Sequence, residues 1–69
     1  MKPAELLRRL RRLAATRSWE ITVAEGGSHT KVMLNGRRSV IGRHSTDLKT
    51  GTLHAILRQL GLRPEDLEN

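Results

Sequence analysis

The stretch Gly26-Gly27-Ser28-His29-Thr30-Lys31-Val32-Met33-Leu34-Asn35-Gly36 sets one candidate strand between two turn signals. Asn35-Gly36 is a strong hairpin signal, because both residue types accept the positive φ of the tight turns that join twisted strands. Gly26 and Gly27 also let the backbone bend sharply, and they leave room beside it for a bulky anionic group. Between these bends, His29 to Leu34 reads as the middle strand of an antiparallel sheet. Ahead of it, Trp19, Ile21 and Val23 alternate with Glu20 and Thr22, the period of a strand with one buried face. Glu25 to Ser28 is the expected turn, and a third strand follows over about Arg37 to Ile41.

Register decides which side chains face the core, since a slip of one residue inverts a strand. A two-residue Asn35-Gly36 loop would pair Val32 with Ser39 and Lys31 with Val40, mixing polar and apolar residues on both faces. A three-residue loop ending at Arg37, with a glycine bulge, would pair Val32 with Val40 and Leu34 with Arg38. This second register collects Val32, Leu34 and Val40 on one side and is the expectation. His29, Lys31, Met33, Ser39 and Ile41 then point the other way, with His29 facing solvent.

Helices flank these strands. Pro3 suits a first helical turn, where its missing N–H costs little. Leu6, Leu7, Leu10, Leu13 and Ala14 recur on one helical face, with Arg8 and Arg12 opposite, Arg9 and Arg11 beside the stripe, and an end at Thr16-Arg17-Ser18. Trp19 is expected in the core at the helix-to-strand corner. Beyond a polar loop from Gly42 to Thr50, Thr50 or Thr52 is placed to cap a second helix. Its stripe is Leu53, Ile56, Leu57 and Leu60, and Gly61 stops it. Pro64-Glu65-Asp66-Leu67 reads as one further helical turn. The predicted fold is α+β in two layers, α-β-β-β-α, with a three-stranded antiparallel sheet and both helices on one face. Double-stranded-RNA-binding domains use this arrangement.

Composition narrows the function. At 69 residues the chain is expected to form one domain, 1–69, with a small core. It has no cysteine, which excludes disulfides and thiolate metal sites. No apolar run approaches a membrane span, and no signal-peptide pattern is present, so a cytoplasmic location without a membrane partner is expected. Up to Leu62 twelve basic residues face four acidic ones, whereas Glu65, Asp66 and Glu68 crowd the end. So basic a body favours a polyanionic partner. Trp19 is the only aromatic residue, which argues against stacking successive bases on rings and for readout by charge and shape.

RNA carries its own nucleophile, the 2′-hydroxyl beside each phosphate. A protein cleaves it by moving a proton there and stabilising the added negative charge. His29 is the candidate general acid/base, since imidazole exchanges protons near neutral pH. The Gly26-Gly27-Ser28 turn is a candidate anion nest, with Lys31, Arg37, Arg38 and Arg43 the nearest cations. His44 is the weaker candidate for a second proton-transfer group. A zinc site of His29, His44 and His54 matches no common ligand spacing. His54 is read as a surface or partner contact. A non-catalytic RNA-binding module, or a basic helix docked on an acidic protein, would suit the same composition.

Gly27-Ser28-His29, Gly36-Arg37-Arg38, Arg43-His44, Lys49-Thr50-Gly51-Thr52-Leu53, Ile56-Leu57 and Gly61-Leu62 together resemble the HicA toxin family. The resemblance implies the toxin of a type II toxin–antitoxin system, a metal-independent mRNA interferase with a double-stranded-RNA-binding-like fold. It further implies His29 as the catalytic histidine, mRNA as substrate, no cofactor, and a HicB-like antitoxin covering the active site. Self-association is not predicted. The expected RNA-binding residues are Gly27, Ser28, Lys31, Arg37, Arg38, Arg43 and Lys49. The chain departs from the common family pattern at Thr30-Lys31, at Gly42 and in its arginine-rich first helix.

Overall fold

The computed structural model describes residues 1–42 and 47–68. The chain runs α1 (Pro3–Arg17), β1 (Ile21–Gly26), β2 (His29–Leu34), β3 (Arg37–Gly42), α2 (Thr50–Gln59) and a closing 3-10 turn (Pro64–Leu67). The strands form one antiparallel sheet in the order β1-β2-β3, with both helices on one face. No helix among the described residues is long and apolar enough to cross a membrane.

α1 begins with Pro3 at its first position and carries Glu5 in its first turn, where a negative charge meets the positive end of the helix dipole. It ends at Ser18, whose left-handed backbone (φ 57) lets the Trp19 N–H donate to the Ala14 carbonyl at 2.8 Å. α2 ends in the same way: Gly61 (φ +73) turns the chain, and the Leu62 N–H donates to the Leu57 carbonyl at 2.8 Å. Neither expected threonine caps α2 with its side chain. The N-cap position belongs to Lys49, which makes no side-chain capping hydrogen bond.

The core gathers the predicted stripes. Leu6, Leu10, Leu13 and Ala14 of α1 and Ile56, Leu57 and Leu60 of α2 or its C-cap are buried. Leu7, Trp19, Ile21 and Leu53 are partly buried against them. Trp19 is therefore a rim residue of the core, and the Arg17 guanidinium lies 5.0 Å from its ring centroid. Asp66 ties the closing turn to α1 through an ion pair with Arg17 at 2.7 Å.

The β2–β3 register differs from the expectation. Leu34 pairs with Arg37, Val32 with Ser39 and Lys31 with Val40, so the hairpin loop is the two-residue Asn35-Gly36. Both loop residues have positive φ, 51 and 83, as a type I′ turn requires. The three-residue alternative sought an apolar partner for Val32. The fold instead buries Ser39 and satisfies it: the Ser39 hydroxyl donates to Gln59 Oε1 at 2.5 Å. The core-facing row of β3 thus contains Ser39 and Ile41, while Val40 is half exposed on the other side. β1 also extends further than read from the sequence. Gly26 pairs with His29, leaving only Gly27-Ser28 in the first turn, with Gly27 at φ +56.

Candidate nucleic-acid cleavage site

Residues paired across an antiparallel sheet point to the same face. The face away from the helices therefore carries Thr22, Ala24 and Gly26 from β1, His29, Lys31 and Met33 from β2, and Arg38, Val40 and Gly42 from β3. No residue in these three rows is acidic. Met33 and Val40, the two exposed large hydrophobics among the described residues, both lie here.

His29 opens β2 and is solvent exposed. Its partners on the two neighbouring strands are both glycines, Gly26 on β1 and Gly42 on β3. No cross-strand side chain thus stands beside the imidazole in its own row. A Cβ built on Gly26 would have no heavy atom within 4 Å. The glycine bend further places the Ser28 hydroxyl 3.3 Å from His29 Nδ1, a contact that orients the ring. His29 also lines a depression of about 220 Å³ with Ala24, Glu25, Gly26 and Lys31.

Lys31 lies two residues along the same face and borders two further depressions. Arg38 sits diagonally from Lys31, because Lys31 pairs with Val40 and Met33 with Arg38. The two-residue turn therefore builds a checkerboard, with the Lys31 and Arg38 cations on one diagonal and Met33 and Val40 on the other. Neither cation forms an ion pair among the described residues. By contrast, Glu5 is held by Arg8 and Arg9 on α1. Their hydrogen bonds lower the Glu5 carboxyl pKa to about 2. Hydrogen bonds from the Arg63 backbone N–H and then the Arg17 side chain lower that of Asp66.

Gly27, Ser28, His29, Lys31 and Arg38 thus share one surface. Arg37 belongs to the opposite row of β3, and its side chain reaches Gly61, where an added Cβ would lie 2.8 Å from Arg37 Nε. Lys49 stands at the N-terminal end of α2, outside the sheet. Arg43 and His44 lie outside the described residues. His54 is exposed on α2. Two features escape the sequence reading: Gly26 and Gly42 as the cross-strand partners of His29, and Val40 as a member of the open face. The strength of Asn35-Gly36 as a two-residue turn was the signal for both Gly42 and Val40.

The family model described as the HicA toxin of bacterial toxin–antitoxin systems matches residues 6–62. Over 43 residues the chain is 49% identical to the probable mRNA interferase HicA of Escherichia coli O157:H7. The identity is the same for the probable mRNA interferase toxin HicA of Escherichia coli strain K12. Each alignment covers 61% of this chain and 74% of the relative. No solved structure matches. A match over most of the chain, from the first buried leucine of α1 to the residue that closes α2, places this protein in the HicA toxin family.

Proposed function

We propose that this protein is an endoribonuclease toxin that cleaves mRNA, with His29 as the residue that moves a proton at the scissile phosphate. The single observation that carries the reading is the exposed imidazole between two glycine neighbours at the end of a sheet face whose paired rows carry no acidic residue. An RNA strand laid on that face presents a phosphate to Lys31 and Arg38 and its 2′-hydroxyl to His29. The 2′-oxygen attacks the adjacent phosphorus, the bond to the 5′-oxygen breaks, and the products are a 2′,3′-cyclic phosphate and a free 5′-hydroxyl. His29 acts by accepting the 2′-hydroxyl proton or by protonating the departing 5′-oxygen. The nucleophile is the substrate's own, so these steps need no metal-bound water. Backbone N–H groups of the Gly27-Ser28 turn are suited to the extra negative charge of the transition state.

The names of the Escherichia coli relatives support the same reaction class. Family membership supports a HicB-like antitoxin as the controlling partner. Gly27, Ser28, Lys31, Arg37, Arg38, Arg43 and Lys49 remain the proposed RNA contacts, with Ser28 against the His29 ring and Lys31 two residues along the same strand face. Cleavage of a single-stranded transcript by purified wild type and His29→Ala, with chelator present, tests the reading. A loss of about 10² to 10⁴ in rate is expected for removal of one proton transfer, with the circular dichroism spectrum retained. Equal cleavage by the folded variant would overturn the assignment. Intact RNA bound by wild type would establish a binding module instead.

A further inference from the structure

A depression lies at the β3 edge. It measures about 510 Å³ and is lined by Lys31, Arg38, Ser39, Val40 and Gln59, within the range of small-ligand sites. We infer that it is a nucleotide subsite beside the scissile phosphate, in which the Gln59 amide, held by Ser39, reads the base. The inference rests on the RNA-cleaving function proposed above and adds a source of sequence preference to it.

Lys31 belongs to both this depression and the one at His29. Two residues of extended strand separate the pair, about 7 Å, so a chain held at Lys31 passes directly to the imidazole. The lining also has the parts a nucleotide needs. Lys31 and Arg38 supply charge for phosphate, and Val40, 50% exposed, supplies an apolar wall for a base.

Gln59 supplies the reading group. It is the last residue of α2 and is exposed. A glutamine on a helix end ordinarily samples many rotamers, and ordering it costs entropy. Here the buried Ser39 hydroxyl donates to Oε1, which turns the amide oxygen inward and biases the side chain toward one orientation. The Nε2 group then offers two N–H donors not spent on Ser39. Uracil O4 and guanine O6 are acceptors for such donors, whereas the amino groups of adenine and cytosine would meet them donor to donor. The subsite therefore favours uracil or guanine.

The test uses the full chain and a pool of RNA randomised over eight positions. Cut ends are sequenced for wild type, Gln59→Glu and Ser39→Ala, and the bound fraction is sequenced in a His29→Ala background. Gln59→Glu keeps an acceptor for Ser39 and replaces the outward donors by an acceptor. Wild type is expected to favour uracil or guanine at one position near the cut by about fivefold, the weight of one hydrogen bond. Gln59→Glu is expected to shift that position toward adenine or cytosine. Ser39→Ala releases the amide and is expected to flatten the preference below about twofold.

An unchanged base distribution in a folded Gln59→Glu protein would overturn the subsite while leaving the nuclease reading intact. RNA bound with the predicted preference but never cut would support the subsite and overturn the nuclease. No RNA bound by any form would overturn both. Gln59→Glu weakening only an antitoxin complex, with cleavage pattern unchanged, would assign the depression to the protein partner and also overturn the subsite.

Discussion

Replacing Gly26 with valine should strengthen the fold and weaken the proposed RNA cleavage. The backbone at Gly26 lies outside the left-handed region, and an added Cβ meets nothing within 4 Å. The position is a paired residue of β1, where glycine costs roughly 0.5–1 kcal/mol relative to alanine and a β-branched residue fits the pleat. Stability is therefore expected to rise by about 0.5–1 kcal/mol, readable as a higher urea midpoint at constant slope. The valine methyls, however, would enter the row of His29. Directly paired residues hold their Cβ atoms about 4.5–5.5 Å apart, so the methyls touch the imidazole and occupy the β1 flank of the open face. A displacement of about 1 Å in a reacting group costs on the order of 10² in rate. The expected result is a loss of kcat/KM of about that size in a protein more resistant to urea. Opposite signs separate this effect from simple misfolding. A stabilised Gly26→Val variant that cleaves RNA at the wild-type rate would refute the claim that the glycine neighbours serve substrate access.

The hairpin register makes two adjacent residues unequal: Ile41→Ala should cost about 2–5 kcal/mol and leave little folded protein. Val40→Ala should stay within about 0.5 kcal/mol of wild type, and urea titrations of both variants check the pair. Gly61→Ala places an L residue at φ +73 and presses on Arg37. A cost of about 1–2 kcal/mol is expected, seen as a drop in Tm of roughly 4–8 °C per kcal/mol for a domain this size. Glu5, held near a pKa of about 2 by hydrogen bonds from Arg8 and Arg9, gives a signed prediction in acid. Its lowered pKa contributes stability that is fully present above its ordinary value of 4.5 and is lost as pH falls toward 2. The stability difference between wild type and Glu5→Gln should therefore shrink across that interval, and a constant difference would contradict the ion pair.

Much of this molecule was legible in its sequence, because local rules fixed it. Leucine spacing defined the buried stripe of α1, Pro3 its start, and Gly61 the end of α2. Alternation from Trp19 and the two glycine-bearing turns defined three strands in antiparallel order, the first of which starts at Ile21 in the structure. His29 stood out by chemistry and by its place after a glycine bend, and resemblance to a family pointed the same way. Facing was another matter. Counting apolar side chains favoured the register that buries Val40, and the structure buries Ser39 and Ile41 instead.

The reason is that a buried polar group is costly only when it lacks a partner. Gln59, twenty residues away, provides that partner, and no reading of the hairpin alone reveals it. The sequence by itself thus determined which elements form, their order and the residue proposed to move a proton. Tertiary packing decided which face each strand offers, and with it the glycine partners of His29 and the alternation of cations and apolar side chains beside it. A turn can select a register locally, but only contacts between distant segments decide whether the core can accept it.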